Sequence, residues 1–306
     1  MNKSNREILK QKVMQRYELF KLNHSRVRRF LKEPWRTFKF YVLATISYIK
    51  PFKISARTLW GDIMTYYLPE GNAIYYYGFF EANLTNFFVN YFREGDVFVD
   101  VGAHVGFYST LVSSLIGETG KVYSFEPTPR TFISLKENTK NKKNVIVNNF
   151  AVLNEKKDIE FIDYGPCYSA FNGFKKRTSL NMNFLKRDVS SITVKTIVLD
   201  NYCESNKIKP DFIKIDAEGA EYLILQGMDN LLMTSRPVIS IEVAGEEEWQ
   251  ENCQKSINFL LDHNYLPFEI STEGKLIEHE IKENYLYDNL IFIPKEKVDF
   301  VKNKVL

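Results

Sequence analysis

At 306 residues, 44% hydrophobic and 15% aromatic, the chain has globular composition and is long enough for one large domain with an appended segment. The net charge of +3 hides an asymmetry: residues 1–50 hold thirteen Lys and Arg against three Asp and Glu, an excess of ten that leaves the remainder at −7. Cys167, Cys203 and Cys253 are widely spaced, with no C-x-x-C pair or His cluster, which argues against a disulfide frame or zinc site and for reduced thiols in a cytoplasmic setting.

The N-terminus lacks an apolar leader, so no secretion is expected. Phe38 to Ile49 is the most apolar early stretch, but Lys39 interrupts it and it is too short to span a bilayer. From Asn5 to about Leu31, sparse apolar residues and the cluster Arg26, Arg28, Arg29 and Lys32 predict a basic helix or pair of helices. Trp35, Phe38, Phe40 and Tyr41 follow. Aromatics beside a basic cluster can dock on an anionic membrane surface; the preferred expectation is a solvated basic helix whose aromatics pack onto the main domain. No RNA motif or recognition helix accompanies the charges, so no nucleic-acid partner is expected. The arm is assigned to 1–57 and the main domain to 58–306, with a ligand-binding core at about 95–243.

Thr58 to Tyr77, rich in Tyr and Gly, predicts one or two strands or a hairpin, and Glu81 to Phe92 an amphipathic helix ended by Gly95-Asp96. Val97 to Val101 is a short β-branched and aromatic run broken by Gly102, after which Phe107, Tyr108, Leu111, Val112 and Leu115 repeat at helical spacing. In this strand, turn and helix, Gly102 and Gly106 let the backbone approach a ligand, and the helix start offers free N–H groups to a carboxylate. Asp100 precedes the turn, placed to hold its amides or to receive an ammonium group. A second strand, Lys121 to Phe125, leads to Glu126, from which a carboxylate accepts both hydrogen bonds of a ribose diol. The glycine spacing is G-x-x-x-G and not the G-x-G-x-x-G that admits a pyrophosphate, which disfavours a nicotinamide site.

Thr131 to Asn141 predicts a helix, Val145 to Val152 a third strand and Asp158 to Tyr164 another; Gly165 to Ser191 is a long loop. Ile192 to Leu199 predicts an edge or connecting strand, and Asp200 begins a short helix. Pro210 to Glu221 is an apolar strand whose end carries Asp216 and Glu218 before the next helix. Ligands of open parallel sheets bind at the carboxyl ends of strands, so Asp216 faces the same crevice as Asp100 and Glu126. Lys214 shares the face of Asp216, which predicts a Lys-Asp pair. The plain alternative makes Asp216 a helix cap and Glu218 a partner of the helix dipole. Val238 to Val243 is the fifth strand, Glu246 to His263 an amphipathic helix, and Asn289 to Pro294 an antiparallel edge partner of Leu266 to Ile270.

In order, VDVGAHVGFYS, VYSFEP, NNFAVLN, VKTIVLDNY, FIKIDAEGAEYLILQGM and PVISIEV resemble the FkbM family of S-adenosylmethionine-dependent methyltransferases, from about Gly95 to the C-terminus. The IKIDAEGAE segment with Glu242 downstream is more specific than the first glycine turn, which many class I methyltransferases share. The resemblance implies an α/β, Rossmann-like class I methyltransferase fold with a mostly parallel seven-stranded sheet and an antiparallel C-terminal edge. It implies S-adenosylmethionine as cofactor and O-methylation of a hydroxyl, often on a sugar, glycan or glycolipid. It places the cofactor at Asp100, Gly102, His104, Gly106, Glu126, Pro127, Asn149, Ala151 and Asp216, with adenine at Asn149 to Ala151. His104 stands where the family more often has Asn; both hydrogen-bond from a turn.

The acceptor contacts expected are Tyr164, Tyr168, Lys214 and Glu218. The long loop, with Phe171, Phe174 and the trio Lys175, Lys176 and Arg177, reads equally as an acceptor lid or as a surface insertion. A sulfonium methyl group is already activated, so the protein must align an acceptor oxygen and receive its proton. The candidates for that base, in order, are Asp216, Glu242 and His104; an imidazole titrates near neutrality, yet in a turn it more often donates a hydrogen bond. Three carboxylates around one crevice can take a hard cation, but no His ligand or metal-ligand spacing accompanies them, and transfer without a metal is expected. Two other classes stay open: a non-catalytic methyltransferase-like binding module, which would lose the pocket acids, and a nicotinamide-dependent oxidoreductase. The Asn/Asp-Pro-Pro-aromatic motif of amino-group methylation is replaced by Asp216-Ala-Glu-Gly, which favours an oxygen acceptor.

Overall fold

The computed structural model describes residues 1, 3–21, 25–174, 189–243, 247–285 and 288–305. The basic arm forms three helices, Lys3–Lys21 (α1), Arg26–Lys32 (α2) and Pro34–Ile49 (α3). Ser25 starts α2 by accepting the Arg28 N–H, and Pro34 opens α3 at the first turn, where its missing N–H costs nothing. The arm is not a wholly solvated appendage. Leu9, Val13 and Leu19 of α1 are buried, and Arg6 donates to the carbonyls of Val89 (3.0 Å) and Leu115 (2.9 Å). Arg29 is buried as well, donating to the hydroxyls of Tyr41 (2.6 Å) and Tyr77 (3.2 Å). Phe40 and Tyr41 pack inward as expected, but Trp35 and Phe38 do not; both lie exposed.

Phe52–Arg57 (β1) and Ile63–Leu68 (β2) form an antiparallel hairpin that straddles residue 57, where the sequence reading ends the arm. Asn72–Tyr77 (α4), within the stretch predicted as strands or a hairpin, is a short helix closed by Gly78 in the left-handed region. After Ala82–Tyr91 (α5) come Val97–Val101 (β3), Phe107–Ile116 (α6), Lys121–Phe125 (β4), Pro129–Thr139 (α7) and Val145–Asn148 (β5). Ala151–Val152 (β6), Asp158–Asp163 (β7) and Ser190–Ile197 (β8) follow, then Leu199–Ser205 (α8), Phe212–Ile215 (β9), Glu221–Gln226 (α9) and Asp229–Met233 (α10). The chain ends with Val238–Val243 (β10), Glu247–Asp262 (α11), Tyr265–Ile270 (β11), Leu276–Glu278 (β12), Asp288–Pro294 (β13) and Val298–Val305 (α12).

The main sheet runs β12-β11-β13-β10-β9-β3-β4-β5, with β10 to β5 parallel and the other three antiparallel. It therefore has eight strands where seven are expected; β12, three residues long, is too short for alternation to reveal. The predicted third strand is two: the chain leaves the main sheet after Asn148, and β6 pairs with β8 in a separate sheet β6-β8-β7. β8, expected as an edge or connecting strand, is the middle strand there.

Strands buried on both faces are continuous apolar runs, and β9 is buried at every position. Alternation sends Phe98 and Phe212 to one face, where Phe88 of α5 meets their rings at 5.6 and 5.2 Å, and Val99, Val101, Ile213 and Ile215 to the other. The chain builds outward through β4 and β5, then returns to lay β9 on the other side of β3. This is a topological switch point, and a ligand crevice opens at the carboxyl ends of β3 and β9. Among the described residues, no helix is long and apolar enough to cross a membrane.

Candidate active site

The turns after β3 and β9 touch. Gly102 has φ +77°, and a Cβ there would lie 1.7 Å from the Asp216 carbonyl oxygen. Glycine is therefore required both by backbone conformation and by the approach of the second turn. His104 follows at φ +51°, in the left-handed region where Asn, Asp and His are the tolerated non-glycine residues, so either Asn or His suits this position.

Glu126, 6% exposed at the end of β4, closes the turn from the other side. One carboxylate oxygen accepts the His104 N–H at 3.1 Å and the other the Thr128 N–H at 3.0 Å. Glu126 itself lines the cavity, and a carboxylate oxygen can accept more than one hydrogen bond. Asn149 donates to the carbonyls of Glu126 (2.8 Å) and Pro127 (2.9 Å), which braces this loop from outside the cavity lining. Phe150, Ala151, Val152, Ile159 and Phe161 form an apolar wall beside it.

Asp216, at the end of β9, accepts from Lys214 Nζ at 2.7 Å, the predicted pair. Lys214 is 2% exposed and sits over the Tyr108 ring at 5.2 Å. Burial works to raise the pKa of Asp216, but the Lys214 ammonium, together with Glu242 and His104, outweighs it and holds the carboxyl below its ordinary value. Glu242, at the end of β10, is pushed well above its ordinary value by burial and by the Asp216 charge. The two carboxyls thus oppose each other: charge is favoured on Asp216, and that charge disfavours a second one on Glu242. Glu218 completes the cluster, and the three side chains bring carboxylate oxygens within 4.8 Å of one another.

The capping alternative for Asp216 does not hold. α9 has no side-chain cap, and it is Glu221 that accepts from the N–H groups of Ala217 (3.0 Å) and Gly219 (3.3 Å) to fold this turn. Burial raises the Glu221 carboxyl to about 7.

Gly102, His104, Glu126, Pro127, Ala151, Tyr168, Asp216, Glu218 and Glu242 all line one cavity of about 880 Å³. Asp100, Gly106, Asn149, Tyr164 and Lys214 do not. Asp100 shares the face of Phe98 and Lys214, so its carboxylate turns under the sheet, 1% exposed, and accepts from Ser109 Oγ at 2.6 Å rather than from the turn amides. Gly106 begins α6 beneath the turn. Tyr164 is 1% exposed with its N–H on Asn172 Oδ1, and Lys214 is buried under Asp216. Lys175, Lys176 and Arg177 lie outside the described residues.

Sequence reasoning missed Glu70, between β2 and α4. It accepts from Ser169 Oγ (2.5 Å) and the Ala170 N–H (2.6 Å) and lies 3.5 Å from His104 Nε2, which itself contacts Ser169 Oγ at 2.7 Å. Burial tends to lower the His104 pKa, but Glu70, with the Glu126 and Asp216 charges, overrides it and raises the imidazole above its ordinary value. A raised His pKa contributes stability that is complete below the ordinary value of 6.5 and is lost as pH climbs through the folded value. Glu70→Gln is expected to lower the His104 pKa relative to the parent protein, because only the Glu126 and Asp216 charges then oppose burial, read from the imidazole proton shifts in an NMR titration. An unchanged midpoint would show that Glu70 does not govern His104.

A parallel sheet with its crevice at the switch point, a glycine turn after β3 and an acid after β4 is the arrangement of Rossmann-like class I methyltransferases. The methyltransferase FkbM domain matches residues 100–267, and the chain belongs to that family. It is 31% identical over 181 residues to the hexuronic acid methyltransferase AglP of Haloferax volcanii, a match that covers 58% of this chain and 66% of that protein, just under two thirds of it. Among solved structures it is similar to methyltransferase FkbM from Methylobacillus flagellatus KT (16% identity, 66% of this chain and 44% of that one, TM-score 0.42). A SAM-dependent O-methyltransferase from Thermotoga maritima is also similar (10% identity, 78% of this chain and 77% of that one, TM-score 0.38).

Proposed function

We propose that this protein transfers the methyl group of S-adenosylmethionine to a hydroxyl of a sugar or glycan. The observation that carries this reading is the cavity itself, which joins a carboxylate suited to a ribose diol, Glu126, to an ionised carboxylate suited to an acceptor proton, Asp216. The sugar acceptor is supported by the hexuronic acid relative.

The residues present fit the cofactor. Glu126 retains acceptor capacity for the ribose hydroxyls, the wall at Phe150 to Val152 offers an apolar face to adenine, and Gly102 leaves the backbone open where a Cβ would intrude. The acids of the cavity favour a sulfonium cation. When bound, S-adenosylmethionine supplies an electrophilic methyl group. Asp216 would receive the proton of the acceptor hydroxyl, the sulfonium–methyl bond breaking and S-adenosylhomocysteine leaving as that oxygen is methylated. Glu242 donates to Asp216 and keeps its charge localised, and Lys214 fixes its position.

The oxidoreductase alternative lacks the glycine spacing for a pyrophosphate, and the binding-module alternative does not account for the pocket acids. Titration calorimetry with S-adenosylhomocysteine is expected to give micromolar affinity, weakened by ~30-fold in Glu126→Ala through loss of charge-assisted hydrogen bonds. Absence of binding, or binding of NADH in its place, would overturn the reading.

A further inference from the structure

The arm carries a surface that methyl transfer does not use. Along α3, Trp35, Phe38, Val42, Ile46 and Ile49 recur at intervals of three, four, four and three residues, and all are exposed, Trp35 to 84% and Ile49 to 83%. This spacing is one stripe of a helix, yet it points away from the protein; Thr37, Ala44 and Ser47 occupy the buried side. α2, the preceding helix, also exposes Val27 and Leu31, to 69% and 75%. Single exposed apolar side chains are ordinary, whereas a continuous strip marks a contact.

Cations accompany the strip. Arg26, Arg28, Lys32, Lys39 and Lys50 are all exposed. Glu33 is the only acid between residues 25 and 50, and it is engaged by Arg16 at 2.6 Å and Arg36 at 3.6 Å. A surface with exposed Trp and aliphatic residues, excess cations and no free acid is complementary to anionic lipid headgroups above acyl chains. A two-fold contact between copies through this face would set the same cations against one another.

We propose that α2 and α3 dock this protein on an anionic bilayer surface, with the Trp35 to Ile49 strip entering the headgroup boundary. The docked element is tied to the cavity rim. α3 packs on α4 through Thr37 Oγ1 and the Tyr76 hydroxyl at 2.7 Å and through the Phe40 and Tyr76 rings at 4.6 Å, and α4 follows shortly after Glu70, which lines the cavity. The inference stands independently of the acceptor assigned above.

The test is flotation of the full chain with vesicles of phosphatidylcholine, alone or mixed equally with phosphatidylglycerol. The protein is expected to float with the mixed vesicles and not with phosphatidylcholine, and to be released by salt. Replacing both Lys32 and Lys39 with Gln is expected to weaken binding by about 25-fold, about fivefold per charge. Trp35→Ser should weaken it by at least about tenfold. These side chains are exposed, so circular dichroism and S-adenosylhomocysteine affinity should match the parent protein, which separates failure of docking from failure of the site. Binding to neither vesicle, equal binding to both, or full binding by Trp35→Ser would overturn the proposal. So would a concentration-dependent dimer dispersed by Trp35→Ser, which would give this face to a second copy.

Discussion

Asp216→Asn is expected to lower kcat for methyl transfer by about 10² to 10⁴ while leaving S-adenosylhomocysteine affinity nearly unchanged. A hydroxyl oxygen that gains a methyl group becomes an oxonium, whose proton is far more acidic than that of the starting alcohol. The acceptor group therefore does not need a high pKa; it needs to be ionised and in reach. Asp216 meets the first requirement because Lys214, with Glu242 and His104, overcomes the effect of burial. Asn preserves size and removes the charge. Single-turnover transfer from a labelled methyl donor to a hexuronate or related glycan measures the step directly. Glu242→Gln can still donate to Asp216 and should cost much less. If Asp216→Asn transfers at the parent rate, Asp216 is not the base, and His104 with Glu70 becomes the group to test.

Lys214→Met is expected to destabilise the fold by about 3–5 kcal/mol, because it leaves buried carboxylates without their cation while keeping the volume filled. Lys214 serves two acids, Asp216 above it and Asp100 beside it under the sheet; burial raises the pKa of Asp100, and Lys214 opposes that rise. The pH dependence has a definite sign. Asp216 has a depressed folded pKa, so its contribution is present above the ordinary value of 3.8 and is lost as pH falls through the folded value. Without Lys214 both carboxyls shift upward, so the deficit should be largest near neutral pH and shrink on acidification as they protonate. Urea unfolding of parent and variant at pH 7.5 and near pH 5 reads this difference. A deficit below about 1 kcal/mol that does not vary with pH would mean that Lys214 is not the counter-charge of this pair.

The parts of the site legible in the sequence are those where one short segment contains both the element and its chemistry. β3 with Gly102, β4 with Glu126, and β9 with Asp216 are of this kind, since an apolar run followed by a turn and an acid fixes both strand and crevice. Asp100 turns away from the cavity lining for a reason the same pattern contains: counting by twos from Phe98 puts its side chain on the α6 face. Tyr164 and Tyr168 are four residues apart in one loop, and nothing in their spacing says that only Tyr168 reaches the cavity. Glu70 was out of reach altogether, because its partners Ser169 and Ala170 are about a hundred residues away and it sits on irregular chain with no periodicity. Asn149 marks the end of the third strand, where the apolar pattern through Val152 continues but the chain changes sheets. For the arm, composition identified basic helices and their aromatics but not which aromatics turn outward.

The contact between Gly102 and the Asp216 carbonyl bears on how this protein can be re-engineered. Acceptor loops of related enzymes are attractive parts to exchange, and the segment after β9 looks like a separable cassette. It is not one, because a grafted loop that carries its backbone even slightly closer at residue 216 meets the first turn, and one that retreats leaves that turn unsupported. Chimeras that exchange the two turns together should retain donor binding more often than those that exchange either alone.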